Sequence, residues 1–408
     1  MVPPRLHEED DSMTDWNAHP AHFWMHGHRP AKSVEFAEEM GFWTVSGYSE
    51  TQRILADPVT YASDIGRFFP QGDSNDPLVK QLSEGNILQM DGAVHRDRRK
   101  VVSRAFTPKM VADMEPRIAR LAGELVDGLV GRDEFDFVTE VAYPLPISVI
   151  AELLGVPASD RDLFVYWADK LLESKNVYHE ADPSEDVVAA SMAALREFAP
   201  MVDYLQQHTA ERRRQPREDL LTVLVQADMP DNEITHFGIL LLFAGHVTTT
   251  LLLASTIMCL DRYPDVARQV RADRSLIPGL IEESLRFVSP VPAIFRATAT
   301  DTEIGGHTVP ADQLLMLALG AVNRDPRQFA DPEVFDITRD PNPHLAFGRG
   351  AHFCLGAPLA RLEGRIAMNI LFDRLGDLRI ETPPVFHPSP EMCGPRHLPV
   401  KQVQRGDS

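Results

Sequence analysis

Cysteine is scarce: Cys259, Cys354 and Cys393 are the only three in 408 residues. Thiols so few and so scattered build neither a disulfide framework nor a zinc knuckle. The chain is therefore expected in a reducing compartment, the cytoplasm, and any sulfur chemistry must rest on one thiolate. Basic charge is also in deficit. Lys and Arg number 40 against 60 Asp and Glu, a formal charge of −20, which argues against nucleic acid or an anionic membrane as partner. The opening MVPPRLHEEDDSMTDW lacks the basic start and apolar core of a secretion signal, and residues 1–15 are expected to form a flexible tail. No repeat or low-complexity segment is present, which excludes a solenoid. One apolar run, Phe237–Leu260, has the length of a membrane span. His246, Thr248, Thr249 and Thr250 interrupt it midway, so a helix buried in protein is expected and no membrane insertion.

What the chain does have is helical periodicity. It dominates from Pro108 to Asp273, in segments such as PKMVADMEPRIARLAGELVDGLVG and AASMAALREFAPMVDYLQQHTAERRR. A central helix is expected to start in MPDNEIT, capped by Asp231 or Asn232 with Glu233 in its first turn, and to run to Leu260. About thirty residues at 1.5 Å each span roughly 40–45 Å, enough to cross a domain. Strand signals are short: GFWTVS at 41–46, and TEIGGHTVPAD at 302–312 with Gly305-Gly306 as a hairpin turn. The loop GRFFPQGDSNDPLVK at 66–80 sets Phe68 and Phe69 among Gly, Pro, Asp and Asn, the composition of a lid over a ligand.

Residues 347–363, FGRGAHFCLGAPLARLE, combine an irregular glycine-rich stretch, Cys354 and helix-forming sequence from near Leu355. A cysteine just before a helix meets free backbone N–H groups and the positive end of the dipole, which favour thiolate over thiol. Gly348, Gly350 and Gly356 allow the backbone to approach the sulfur closely. His352 stands too near Cys354 for zinc-ligand spacing, and no second Cys/His pair exists. The pattern F-G-x-G-x-H-x-C-x-G resembles the cysteine-ligand loop of the cytochrome P450 haem-thiolate monooxygenases, and further elements follow in that family's order from about residue 40 to 400. Glu283 and Arg286 in EESLR match its E-x-x-R; an i, i+3 acid–base pair alone would read as an ordinary surface pair. Arg339 in PEVFDITR matches the third member of that network.

The resemblance implies a mainly α fold with a small β region, a single domain over residues 16–408 whose long central helix crosses a haem. It implies haem b, held by Cys354 as the metal ligand, with Phe347, Gly348 and Gly356 shaping the loop around it. His95 and Arg99 in HRDRRKVV, Arg296 in IFRAT, and His352 are expected to meet the two propionates. On the other face, the family's A-G-x-acid-T corresponds to Ala244, Gly245, His246, Val247 and Thr248. Ala244, Val247 and Thr248 share one helix face, and Thr248 supplies the alcohol. Val247, in place of the acid, cannot relay a proton. Three substitutes are conceivable: His246, waters held by Thr248, Thr249 and carbonyls at a widened turn, or a hydroxyl of the substrate. Waters with Thr248 are favoured, because His246 lies one residue off the shared face. Thr249 and Thr250 are expected to bond carbonyls one turn earlier.

By the same layout, the substrate pocket is expected to be lined by Phe68, Phe69, Ile87, Leu88, Leu172, Val177, Leu240, Phe243, Val291, Ile294 and Met392, an apolar set suited to a hydrophobic molecule of medium to large size. The stretches AGHVTTT, VVSRAFTPKMVADMEPRI and GPRHLPV are similar to those of hydroxylases that tailor macrolides and other polyketides. The implied reaction inserts one atom of O2 into a C–H or C=C bond, with electrons from a ferredoxin and ferredoxin reductase. Arg96, Arg98, Arg99, Lys100, Arg104 and Lys109, with Arg349 and Arg361, would form the basic docking patch. Two other readings remain at this stage: a peroxide-using or non-oxygenating haem-thiolate enzyme, and a catalytically silent haem protein serving as a binding partner in a biosynthetic complex. Thr248 argues against the second, since a pure binder needs no alcohol over the iron.

Overall fold

The computed structural model describes residue 16 and residues 18–68, 85–174 and 184–403. The helical stretch anticipated between Pro108 and Asp273 is realised as Pro108–Asp113, Glu115–Asp127, Pro144–Leu154, Arg161–Ser174, Glu185–Phe198, Pro200–Arg214, Leu220–Gln226, the central helix Asp231–Arg262, and Pro264–Ala272. The central helix differs from expectation at both ends. Pro230 takes the N-cap position and no side chain caps the helix; Asp231 is already helical, and its carboxylate accepts from Arg213 at 2.5 Å. The last turn extends two residues past Leu260. This is the one described helix long and apolar enough to span a membrane, and 72% of its most apolar window is buried in protein. Helices Pro144–Leu154, Pro200–Arg214, Ile277–Val288 and Ala357–Arg374 all pack on it. Being apolar on every side is what a helix enclosed by others requires.

The largest sheet of the β region has five strands in the order Val34–Ala37, Phe42–Val45, Leu314–Leu317, Ile294–Thr298 and Tyr61–Ala62, beside a three-stranded sheet of Glu134–Asp136, Pro399–Val403 and Asp377–Arg379 and two two-stranded pairs. Phe42–Val45 and Leu314–Leu317 run parallel; the other pairs are antiparallel. This register sets Arg296 opposite Leu315. The expected hairpin is present as Thr302–Ile304 against His307–Val309, turning on Gly305 and Gly306 at φ +56° and +81°, left-handed conformations that glycine adopts without a steric penalty.

Glu283, Arg286 and Arg339 come together. Arg286 and Glu283 are both fully buried one helical turn apart, with bonds of 2.8 and 2.7 Å from Nε and Nη2 to the two carboxylate oxygens. The remaining donors of Arg286 go to the carbonyls of Asn323, Pro332 and Val334 at 2.9–3.1 Å, so its whole fork is satisfied. Glu283 also accepts from the Asp336 N–H at 2.9 Å, from Asn342 at 3.0 Å and from Arg339 at 3.4 Å. The network thus ties helix Ile277–Val288 to the irregular segment 323–342. Arg286→Met, which strands the buried carboxylate, is expected to cost about 3–5 kcal/mol in urea unfolding; a loss below about 1 kcal/mol would show that the network holds nothing.

A second buried acid is unpaired. Glu363, in helix Ala357–Arg374, is 1% exposed, its Oε2 has no hydrogen-bond partner among the described residues, and burial pushes its carboxyl from 4.5 to about 8. Because the folded protein holds this proton more tightly than the unfolded chain, the associated stability is full below pH 4.5 and is lost as pH rises through about 8. The stability difference between Glu363→Gln and the parent is therefore expected to be flat below that window, to grow across it by up to about 1.4 kcal/mol per pH unit, and to level off above. Denaturant melts from pH 4 to 9 measure this difference; a flat difference throughout would mean that Glu363 is already ionised in the fold.

Candidate active site

Cys354 is presented by a tightly wound loop. Its N–H donates to the Phe347 carbonyl at 2.9 Å, and a 3-10 turn, Gly350–His352, folds the segment back on itself. Gly350 is at φ +73°, and a Cβ there would stand 2.2 Å from the Leu55 carbonyl oxygen, so no other residue fits without moving backbone. The following helix starts at Ala357 rather than near Leu355, because Leu355 and Gly356 form a turn with Gly356 at the N-cap. That turn aims backbone N–H groups at the sulfur. Burial pushes the Cys354 thiol up; the Gly356 N–H, the Arg99 guanidinium, the Ala357 N–H and the Arg361 guanidinium oppose it.

The four basic residues expected at the propionates form one cluster. His95 is buried on helix Gly92–Val102, and its ring stacks on His352 with centroids 4.0 Å apart. Arg99, one turn along, bonds the Phe353 carbonyl, and Arg296 extends from its strand to within electrostatic reach of His95 and His352. Asp91, which the sequence reading missed, is the single carboxylate among them. It reads as a helix cap, but its Oδ2 takes the Ser63 N–H at 2.6 Å, while Oδ1 and the His352 Nε2, 3.6 Å apart, both lack a hydrogen-bond partner. Burial, and then the neighbouring cations, depress both imidazoles, His352 to about 4. Two half-buried arginines against one acid, with two imidazoles held neutral by burial and these charges, leave the cluster with an excess of positive charge that suits a further anion.

On the central helix, Ala244 is exposed and Thr248 half-buried, while residues 246–247 and 249–260 are buried. The helix runs through this stretch without the widened turn considered above, and Thr248 Oγ1 donates to the Ala244 carbonyl at 2.8 Å. Thr249 and Thr250 bond Gly245 and His246 carbonyls, each at 3.1 Å. Gly245 faces helix Pro144–Leu154: a Cβ there would stand 2.7 Å from Ile150 Cδ1. His246 points the same general way. Its ring meets Tyr143 edge-on at 4.1 Å, neither nitrogen is bonded, and burial, followed by the charge of His387, lowers its pKa to about 3. It is a neutral core histidine that donates no proton near neutral pH. Val247 is sealed in an apolar cluster with Leu251, Met392 and Phe243.

Of the expected pocket residues, Phe243 and Met392 are thus brought together. Leu240 and Ile87 pack on the main core and Ile294 on the sheet, Val291 is half-buried and Leu88 exposed. Phe68 ends a 3-10 turn with the Arg67 guanidinium 4.6 Å above its ring. Phe69 and Val177 lie outside the described residues, as do the rest of the 69–80 loop and the side chain of Leu172. The basic patch needs correction at two positions. Arg98 bonds Glu233 at 2.8 Å and Arg361 is forked onto Glu282 at 2.6 and 2.7 Å, so both charges are already matched inside the chain.

These residues fit an iron porphyrin: a cysteine sulfur ringed by N–H donors and guanidinium groups, a cationic cluster with orphaned buried polar atoms for two carboxylates, and a small residue beside an alcohol on the long helix that packs against the helix after the cysteine. Comparison with known proteins agrees. The family described as Cytochrome P450 matches residues 21–393. The cyclomarin C epoxidase CymV of Salinispora arenicola (strain CNS-205) is 40% identical over 385 residues, covering 93% of this chain and 95% of that protein. The erythromycin C-12 hydroxylase of Saccharopolyspora erythraea is 36% identical over 378 residues, covering 90% and 91%. The crystal structure of HmtT, involved in himastatin biosynthesis, has a TM-score of 0.87 at 50% identity, covering 96% of this chain and 99% of that one. By loop, helix and overall likeness, the chain belongs to the cytochrome P450 family of haem-iron monooxygenases.

Proposed function

We propose that this chain, as one domain over residues 16–408, holds haem b through Cys354 and hydroxylates or epoxidises a largely apolar secondary metabolite, a macrolide or other polyketide, in the cytoplasm. Ferredoxin and ferredoxin reductase supply the electrons. The observation that carries the reading is the Cys354 sulfur beneath the Gly356 and Ala357 N–H groups and beside Arg99 and Arg361. Haem so held supplies O2 activation and oxygen-atom transfer. His95, Arg99, Arg296 and His352 would hold the propionates, which also supply the anions that this cluster lacks.

The buried cluster of Val247, Leu251 and Met392, on which half-buried Phe243 packs next to exposed Ala244, supports an apolar substrate. It also removes position 247 from the proton route. Thr248 spends its own hydrogen on the Ala244 carbonyl, which leaves the Oγ1 lone pairs to accept from a water or from a substrate hydroxyl; the hydroxyl can then turn and pass a proton on. For electron delivery, Arg96, Lys100, Arg104, Lys109 and Arg349 are exposed and make no ion pair within the described residues, and Phe353 stands exposed beside Cys354. That set suits an acidic ferredoxin. The erythromycin C-12 hydroxylase supports a macrolide, whereas the names of CymV and HmtT point to cyclomarin C and to himastatin biosynthesis.

The dithionite-reduced carbon monoxide complex is expected to give a strongly red-shifted Soret band that Cys354→His abolishes; a parent band typical of histidine or thiol ligation would reject thiolate binding. Erythromycin-type macrolides and cyclomarin C, titrated in parallel, are expected to reveal the substrate class by a low-to-high-spin shift. Thr248→Ala is expected to lower product formed per electron pair by about 10²-fold, with peroxide accumulating instead; an unchanged yield would exclude Thr248 from the proton route.

A further inference from the structure

We propose that Glu282 is a positioning residue for the proximal ligand: it pins Arg361 on the face of Phe347, so that a fixed guanidinium charge stands beside the Cys354 sulfur. The inference rests on the reading of Cys354 as the haem ligand.

Three contacts fix Arg361. Its Nε and Nη2 donate to the two oxygens of Glu282 at 2.6 and 2.7 Å, a fork-on-fork pair. Its guanidinium carbon lies 4.6 Å from the centroid of the Phe347 ring, a cation–π contact. Phe347 is also the residue whose carbonyl accepts the Cys354 N–H at 2.9 Å, so one residue carries both the guanidinium and the cysteine backbone. Glu282 is itself held. The His344 Nδ1 accepts the Ala346 N–H at 3.3 Å, which puts the ring proton on Nε2, 3.1 Å from Glu282 Oε2. Burial pushes the Glu282 carboxyl up, but its bonds to Arg361 and His344 bring it down to about 2, so the pair stays ionised across the working pH range.

An Arg–Glu pair with side chains 38% and 29% exposed contributes little to stability. Its geometry is what matters: a free arginine samples many rotamers, whereas this one has a single place, with the Cys354 sulfur within its field. With its Nε–Nη2 edge forked onto Glu282 and one face on Phe347, Arg361 carries a charge already matched inside the chain, unlike exposed Lys100, Arg104 and Lys109, which make no ion pair among the described residues. The charge acts inward on the sulfur.

The test is the equilibrium reduction potential of the holoprotein, which needs no redox partner, with the reduced carbon monoxide spectrum as a check on ligation. Arg361→Gln is expected to lower the potential, because the added electron loses a nearby cation, while keeping the red-shifted band. Glu282→Gln and the double variant complete a cycle. If Glu282 acts through Arg361, the potential change caused by Glu282→Gln is more negative in the parent background than in the Arg361→Gln background; equal changes in both backgrounds would reduce Glu282 to a bystander charge and overturn the proposal. Arg361→Lys, which keeps the charge but not the fork, is expected to fall between parent and Arg361→Gln, and it serves alone should Arg361→Gln fail to retain haem. An unchanged potential in Arg361→Gln together with weaker, less salt-dependent ferredoxin binding would assign Arg361 to docking instead. A parent without the red-shifted band would fail the Cys354 reading itself, a different result from an intact band with unmoved potentials.

Discussion

On the proposed reading one requirement governs this site: the Cys354 sulfur must carry negative charge inside a protein. Burial alone favours the neutral thiol, as it does at Cys259 and Cys393, where nothing comparable opposes it and the thiols are pushed far up. At Cys354 the opposition comes from several elements at once. The turn Leu355–Gly356 supplies N–H groups, helix Gly92–Val102 supplies Arg99, and helix Ala357–Arg374 supplies Arg361. No segment of the chain could provide all of these locally, so the fold exists to hold them in register. The Glu283–Arg286–Arg339 network does much of that holding, because it bonds the irregular 323–342 segment to helix Ile277–Val288, the same helix that carries Glu282.

The arginines divide by how their charge is matched. Arg286 is buried and saturated, and so serves architecture. Arg99 and Arg296 lie against histidines and one carboxylate, and so retain appetite for anions. Arg98 and Arg361 are each matched by one glutamate at the edge of the site. The outer basic residues are matched by nothing in the described chain, which in a protein of net charge −20 makes them a local inversion of sign.

The central helix shows the opposite economy of charge. Four polar side chains cluster midway along its apolar run, and none of them is an acid or a cation at neutral pH. The threonines donate back to carbonyls one turn earlier, and His246 rests neutral against Tyr143. With Val247 buried among Leu251, Met392 and Phe243, the helix face that carries Ala244 and Thr248 has one hydroxyl and otherwise carbon. On the proposed function, proton supply and substrate fit would both fall to these few residues.

Much was legible in the sequence because it depends on local spacing. The central helix follows from an apolar run of fixed period, the hairpin from Gly305-Gly306, and the cysteine loop from glycines placed where only glycine tolerates the backbone. Tertiary structure alone decided which charges are spoken for, since Arg98 and Glu233 are 135 residues apart and Arg361 and Glu282 are 79 apart. It also decided where His246 points. Periodicity places a residue on a helix face, but what covers that face, here Tyr143 and Ile150, comes from another part of the chain. Asp91 escaped for the same reason: beside Gly92 it reads as a cap, and only the approach of Ser63 and His352 makes it the lone acid of a cationic cluster. Chemistry written in short motifs can be read from sequence, whereas the electrostatic matching of long side chains is a property of distant segments meeting.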